Sequence, residues 1–354
     1  MFSCLQVLAG LEPPLDLSTK IFGQEVSLPF FTCPTAGNKM FHHEGELGVA
    51  RAAAKYNSLY CLSSLATSTI EEISEILTPD HPKLFQIYVW KDKDLLKDVL
   101  DTAKAGHFQS MALTVDLAWY GNRERDIRNG FSIPPTYSAK QIIEAAKRPA
   151  WTWDFLSNPE YNYALINKNV PAASLASFIN AQLSPSFNWG DAQWLCDQWA
   201  GPRAIKGICR VEDAVRAMEV GFTTIWVSNH GGRQLDTSPA TIDILPEIRD
   251  AVGPDVEIIL DCGVQRGTDI VKALALGADG VGIGKPYLYG LCAGGGEGVI
   301  RVMEILKVEM ERAMGLLGVG NIKDLKEQGR DLIKRRLGSS RDGQGARYSR
   351  SGII

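Results

Sequence analysis

The sequence predicts an α/β protein folded as a (β/α)8 TIM barrel with a long insertion after strand four, on three observations. Eight short apolar, β-rich runs alternate with helix-length segments. Such alternation means parallel strands joined by right-handed crossovers, and eight units are what closes a barrel. Nearly every run also ends in polar residues at its C-terminal side, where barrels of this type carry their sites.

The runs, in order, are "PFFTCP" from 29, "YCLSS" from 60, "LFQIYV" from 84, "SMALTVD" from 110, "RAIKGI" from 203, "TTIWVSN" from 223, "EIILDCG" from 257 and "GVGIGK" from 280. Between them lie helical patterns at Glu44 to Tyr56, "STIEEISEIL", "DKDLLKDVLDTAKAG", "RVEDAVRAMEVG" and "RGTDIVKALALGA". Several open on a Ser or Asp cap and close at glycine. The strand ends carry Thr35, Ser63 with Ser64, Gln86 with Tyr88, Thr114 with Asp116, Lys206, Ser228 with His230, and Asp261. Packing alone does not require polar residues at one end of so many strands.

Residues 117–202 break the rhythm, because they exceed what a βα loop needs and hold six of the eight tryptophans. A lid, an oligomer contact and a tolerated insertion all fit. Residues 338–354 read as a flexible tail, and 1–354 as one barrel domain.

With 354 residues, 45% of them hydrophobic, the chain is long enough for one large core. A net charge of -4 supplies no basic field for nucleic acid or an anionic membrane, which leaves small-molecule chemistry. Seven scattered cysteines without a C-x-x-C pair suit a reducing, cytoplasmic compartment. No apolar run reaches membrane-spanning length, and the N-terminus lacks the basic region of a signal peptide, so a soluble protein is expected.

The stretch "SNHGGRQLD", residues 228–236, sits at the end of strand six. His230 there is either a structural histidine or a base, since an imidazole takes a proton near neutral pH. Three residues on, the Arg233 guanidinium is suited to gripping a carboxylate with two parallel bonds. Asp116 either caps the next loop or orients the imidazole. Lys206, flanked by apolar residues, either snorkels or places a positive charge in the barrel mouth. The loops around "DCGVQRGTD" and "GADGVGIGKPYLYG" suit a phosphate-bearing cofactor. A Walker motif is excluded by Asp279 and Pro286, and Tyr287 breaks a dinucleotide glycine pattern after Gly282 and Gly284. "FHHEGE" from 41 has no i, i+4 histidine pair, so no metal is expected, and "GGGEG" from 294 reads as a helix lead-in.

These residues resemble the FMN-dependent L-2-hydroxy acid dehydrogenases and oxidases, the family of glycolate oxidase, lactate oxidase, flavocytochrome b2 and mandelate dehydrogenase. The likeness runs from about Leu17 to Leu337 through "PTAGNKMFHHEGE", "SSLATSTIEE", "FQIYVWKD", "LTVDLAWYGNRERDI", "IKGI", "SNHGGRQLD", "DCGVQRGTDIVKALALGADGV" and "IGKP". "GNRERDIRNGFSIPPTYSAK" and "SFNW" are most similar to the mandelate dehydrogenase branch.

The resemblance implies oxidation of an L-2-hydroxy acid to the 2-oxo acid with FMN as cofactor. It implies His230 as the base, Asp116 as its partner, Arg233 and Arg123 as carboxylate ligands, and Tyr88 at the substrate hydroxyl or carboxylate. Around the flavin ring it places Pro34, Thr35, Ala36, Ser64, Gln86, Thr114 and Lys206, and it counts Ser228 among the cofactor residues. Asp261 falls at the ribityl chain and Gly284 with Lys285 at the phosphate, with Gly263, Gln265 and Arg266 also among the cofactor residues. A homo-tetramer is implied, while the electron acceptor, whether oxygen, a quinone or a cytochrome, stays open, and so does oxidase against dehydrogenase.

Leu65 stands where some members carry a bulky aromatic, which suits substrates from lactate to aryl hydroxy acids. The sequence departs from the family at Gln265, an arginine position, at Lys285, where arginine is usual, and at Cys262, normally Gly or Ser. The family's N-terminal helical segment, with a carboxylate-binding tyrosine, is not seen before "MFSCLQVLAG", so a missing cover and an impaired flavin-binding relic are the alternative expectation.

Overall fold

The computed structural model describes residues 2–4, 10–130, 138–158, 163–164 and 183–335. Eight parallel strands close into a barrel: β1 (Phe30–Thr32), β2 (Tyr60–Ser63), β3 (Lys83–Tyr88), β4 (Ser110–Thr114), β5 (Arg203–Ile208), β6 (Thr224–Val227), β7 (Glu257–Leu260) and β8 (Gly280–Ile283). Their order around the barrel is the order in the chain, with β8 returning to β1; seven lie within the predicted runs and β3 begins one residue ahead of its run, at Lys83. Strands buried on both faces read as continuous apolar runs, which is why the pattern was visible.

Inside the barrel, Phe31, Leu84, Ala112, Ala204, Trp226 and Ile259 form one buried cluster. Period-two alternation then puts Gln86, Thr114, Lys206, Ser228 and Asp261 on the same inner face, one layer nearer the C-terminal end. The inner space is shared unequally. Trp226 fits because β8 has Gly282 beside it, where a Cβ would lie 2.5 Å from Cys33 Sγ and 3.4 Å from the indole. The opposite end is closed by a hairpin, Thr19–Ile21 with Gln24–Val26, whose Phe22 N–H donates to Glu257 Oε1 at 2.6 Å.

Outside the strands lie α1 (Gly45–Tyr56), α2 (Ile70–Ile76) and α3 (Lys93–Ala105), all within predicted segments. Thr69 and Glu72 make a full capping box at the start of α2. The insertion contributes α4 (Glu124–Arg128), α5 (Ala139–Ala146), α6 (Pro149–Ser157) and α7 (Trp189–Asp197). After β5 come α8 (Val211–Val220), α9 (Thr241–Val252), α10 (Gly267–Ala275), α11 (Lys285–Leu317) and α12 (Ile322–Gln328). The glycine run from 294 falls inside α11, where Gly294 and Gly295 leave helical geometry and a second helical stretch begins.

The described parts of the insertion rest on the loops that follow β1, β2 and β3. Trp151 Nε1 donates to the Phe41 carbonyl at 3.0 Å, Ala164 N to the Ala66 carbonyl at 2.9 Å and Ser184 N to the Val89 carbonyl at 3.2 Å. The tail expected at 338–354 lies outside the described residues. Among the described residues, no helix is long and apolar enough to cross a membrane.

Candidate active site

A bulge organises the mouth of the barrel. The β5–β6 register shifts between Lys206 and Ile208, and Gly207 sits there at φ 111°. A Cβ on Gly207 would be 2.8 Å from Asp116 Cβ, so only glycine lets β5 pass the end of β4 this closely.

On the far side of Asp116 stands His230, with Nδ1 at 3.0 Å from Asp116 Oδ1. His230 has φ 56°, in the left-handed region, and glycines with positive φ follow it at 231 and 232. Its backbone N–H donates to Ser228 Oγ at 3.3 Å, which anchors the corner to β6. Asp116 Oδ2 is buried and has no partner within the protein.

Lys206 Nζ donates to Ser228 Oγ at 2.7 Å and pairs with Asp261 Oδ2 at 3.0 Å, both side chains being buried. Burial by itself disfavours the ammonium, but the carboxylates of Asp261 and Asp116 outweigh it and raise the Lys206 pKa. Burial likewise works against the Asp261 carboxylate, and Lys206 with bonds from Cys262 and Ser228 outweighs that and lowers its pKa. The mouth therefore carries a fixed ion pair. Cys262, at φ 77°, donates from Sγ to Asp261 Oδ1 at 2.8 Å and accepts from Gly231 N at 3.0 Å, so the thiol ties the Asp261 end to the histidine corner. Burial and Asp261 push that thiol up to about 12.

On β3 and β4, Gln86 Oε1 accepts from Ser63 Oγ at 3.0 Å and Gln86 Nε2 donates to Thr114 Oγ1 at 2.8 Å. Tyr88 is buried, and its phenol is raised by burial. Arg123, at the start of α4, lies over the Tyr120 ring at 4.9 Å and donates from Nη2 to Gln234 Oε1 at 2.8 Å, while its Nε is buried without a partner. Burial and the neighbouring Arg233 lower the Arg123 pKa. Arg233 donates from Nη2 to Asp126 Oδ2 at 2.8 Å. The two guanidiniums and His230 thus share one corner, with α4 supplying a counter-ion that sequence reading missed.

The remaining residues form two groups. Pro34 and Thr35 are half-buried after β1 and Ala36 is exposed; the Thr35 hydroxyl contacts Tyr287 OH and donates to Asn38 Oδ1 at 2.7 Å. Beyond β7 and β8, Gly263, Gln265 and Lys285 are exposed and Gly284 caps α11, while Arg266 is engaged with Glu309 Oε1 at 2.5 Å. Sequence reading also passed over Glu46, buried on α1, which accepts from Asn38 N, Thr67 N, Thr67 Oγ1 and Ser68 Oγ at 2.6–3.2 Å and so shapes the loops after β1 and β2. Nothing in its helical spacing signals that role.

The mouth fits a polar, phosphate-bearing ligand. Ser64 Oγ is buried without a partner, as are Asp116 Oδ2 and Arg123 Nε. Buried polar atoms of this kind need a partner, and a bound cofactor and substrate offer them one. A Cβ at Gly231, Gly232, Gly263 or Gly284 would meet no atom within 4 Å, so the backbone there faces open space. A separate cavity of about 540 Å³, lined by Lys104, Phe108, Gln109 and Trp199, adjoins the N-terminal ends of β4 and β5 and shares no residue with this site.

Known proteins show the same arrangement of chain. The family described as FMN-dependent dehydrogenase matches residues 4–332. Human (Homo sapiens) 2-hydroxyacid oxidase 1 is 41% identical over 308 residues, covering 87% of this chain and 79% of that protein. An L-lactate oxidase from Nostoc sp. is 39% identical over 317 residues, covering 88% of this chain and 81% of its own. Among solved structures, monotopic membrane protein (S)-mandelate dehydrogenase superposes with a TM-score of 0.88 at 31% identity, over 95% of this chain and 88% of that one.

Proposed function

The chain belongs to the FMN-dependent dehydrogenase family, and from that premise we propose that it oxidises an L-2-hydroxy acid to the 2-oxo acid, with His230 as base. The single observation carrying this reading is the 3.0 Å contact of His230 Nδ1 with Asp116 in the corner that also holds Arg233 and Arg123. With Nδ1–H donating to the carboxylate, Nε2 keeps its lone pair for a substrate proton, and Asp116 stabilises the imidazolium that results. Arg233 and Arg123 clamp the substrate carboxylate, and Tyr88, kept protonated by burial, donates to the substrate oxygen.

FMN is the family's cofactor, and when bound it accepts the two electrons leaving the substrate carbon. Pro34, Thr35, Ala36, Ser64, Gln86, Thr114, Lys206 and Ser228 would hold its ring, Asp261 and Gly263 its ribityl chain, and Gln265, Arg266, Gly284 and Lys285 its phosphate. Lys206, held charged by Asp261, supplies a fixed positive charge at that place. Leu65, 8% exposed, leaves room for substrates from lactate to aryl hydroxy acids.

We read 117–202 as a cover over the mouth, from its bonds to the loops after β1, β2 and β3. Its exposed Trp153 and Leu156 offer apolar area for a homo-tetramer contact, which light scattering of the purified protein would read.

The test is anaerobic addition of lactate, mandelate and glycolate to the FMN-loaded protein. Bleaching of the flavin by one of them is expected, with His230→Ala abolishing bleaching while flavin stays bound. Flavin loss in that variant, or bleaching that persists, would sink the assignment of His230. Repeating turnover with and without oxygen separates an oxidase from a dehydrogenase.

A further inference from the structure

We propose that His42, His43 and Asp154 form a binding site for a divalent transition-metal ion, most naturally Zn²⁺, that clips the insertion to the barrel. One ligand atom from each lies within 4.8 Å of the other two. His42 and His43 follow the short turn after β1, and Asp154 comes from α6 in the insertion. The chain brings them together across 111 residues, which is why the histidine spacing in "FHHEGE" carried no metal signal.

The two imidazoles are held nearly parallel, with centroids 4.5 Å apart and planes 29° from each other. His42 Nδ1 accepts the Glu44 backbone N–H at 3.3 Å, which places the neutral ring's proton on Nε2 and makes Nδ1 the lone pair a metal would take, in exchange for that long bond. His43 Nδ1 faces Asp154 Oδ1 directly. Asp154 is positioned by two further donors, His43 N to Oδ2 at 3.1 Å and Asn158 Nδ2 to Oδ1 at 3.4 Å. Glu44 is already committed, to Arg51 at 2.6 Å and to Gly296 N at 2.7 Å, so the ligand set is two imidazoles and one carboxylate.

That set suits Zn²⁺, with water in the remaining position. Tetrahedral bonds of 2.0–2.2 Å place ligand atoms roughly 3.3–3.6 Å apart, and a side-chain rotation at the exposed His43 closes the present spread. A hydrogen bond between His43 and Asp154 alone would also hold α6, and the two cases differ in what Zn²⁺ does.

Zn²⁺ is titrated calorimetrically into the FMN-loaded full chain after chelator treatment. One ion per chain at micromolar affinity or tighter is expected, weakened about tenfold or more in His43→Gln and in Asp154→Asn. Absence of micromolar binding overturns the site. Unchanged affinity in both variants also overturns it, since the ion would then sit on the chain's thiols. Circular dichroism checks the fold of each variant, and His42→Gln replaces one that misfolds.

Discussion

Lys206 and Asp261 face each other at 3.0 Å where water has little access, and such a pair is worth most when one member is removed. Lys206→Met leaves a buried carboxylate without its cation. A loss of about 3–5 kcal/mol is expected in urea unfolding of the FMN-free protein, and a loss near zero would mean that Asp261 finds another cation. The direction with pH follows from the shifts. Asp261 has its pKa lowered in the fold, so its share of stability is present above the ordinary carboxylate range and is lost as pH falls through the depressed value. Lys206 has its pKa raised, so its share is full below the ordinary lysine value and goes only as pH rises through the raised one. Between about pH 5 and 9 the contribution of the pair is therefore constant, and its loss in acid reads out as a fall in the urea midpoint that is smaller in Lys206→Met than in the parent chain. Both residues stood out in the sequence as polar strand ends, but their pairing did not, because it depends on β5, β6 and β7 lying side by side. The Arg233–Asp126 bond at 2.8 Å was hidden for the same reason, with α4 separated from strand six by some hundred residues.

At the scale of elements, helices announced by caps and apolar periodicity appear where expected: α2 has its capping box and α3 its Asp92 cap. The helix following β8 was less legible, because six consecutive residues from Ala293 to Gly298 include four glycines, and glycine weakens a helical pattern. Packing resolves it. A Cβ on Gly298 would lie 1.9 Å from the Gly290 carbonyl oxygen, and one on Gly296 3.1 Å from Gly48 Cα of α1. The glycines let α11 fold back on itself and lie close against α1. Gly298→Ala should therefore destabilise by about 2–3 kcal/mol, despite the better helix propensity of alanine. Gly315→Ala, on the same helix with nothing within 4 Å of the new Cβ, should be neutral or stabilising. Thermal melts of the two variants test the explanation, and equal effects would refute it.

For the whole molecule, the barrel was readable because eight apolar runs repeat one unit, whereas the insertion repeats nothing and its described parts are held to the loops after β1, β2 and β3 by single bonds such as Trp151 to Phe41. The side proposed above for the FMN phosphate is where sequence and affinity meet. Gln265 is exposed beyond β7, next to an Arg266 already engaged by Glu309, and Lys285 is a point charge at the start of α11. Neither offers the forked pair of donors that a phosphate takes from arginine. A ligand that binds only the folded chain stabilises it by about 2.7 kcal/mol at a hundredfold excess over its dissociation constant, which for a chain of this size raises Tm by roughly 4 °C. Gln265→Arg adds one planar cation on that side, worth about 1–3 kcal/mol if it forms a charge-assisted bond with the phosphate. It should tighten FMN about tenfold in a fluorescence titration and enlarge the FMN-induced rise in Tm, while riboflavin, which has no phosphate, should bind as it does to the parent chain. Equal tightening toward riboflavin would show that residue 265 acts on the ring or the fold and not on the phosphate.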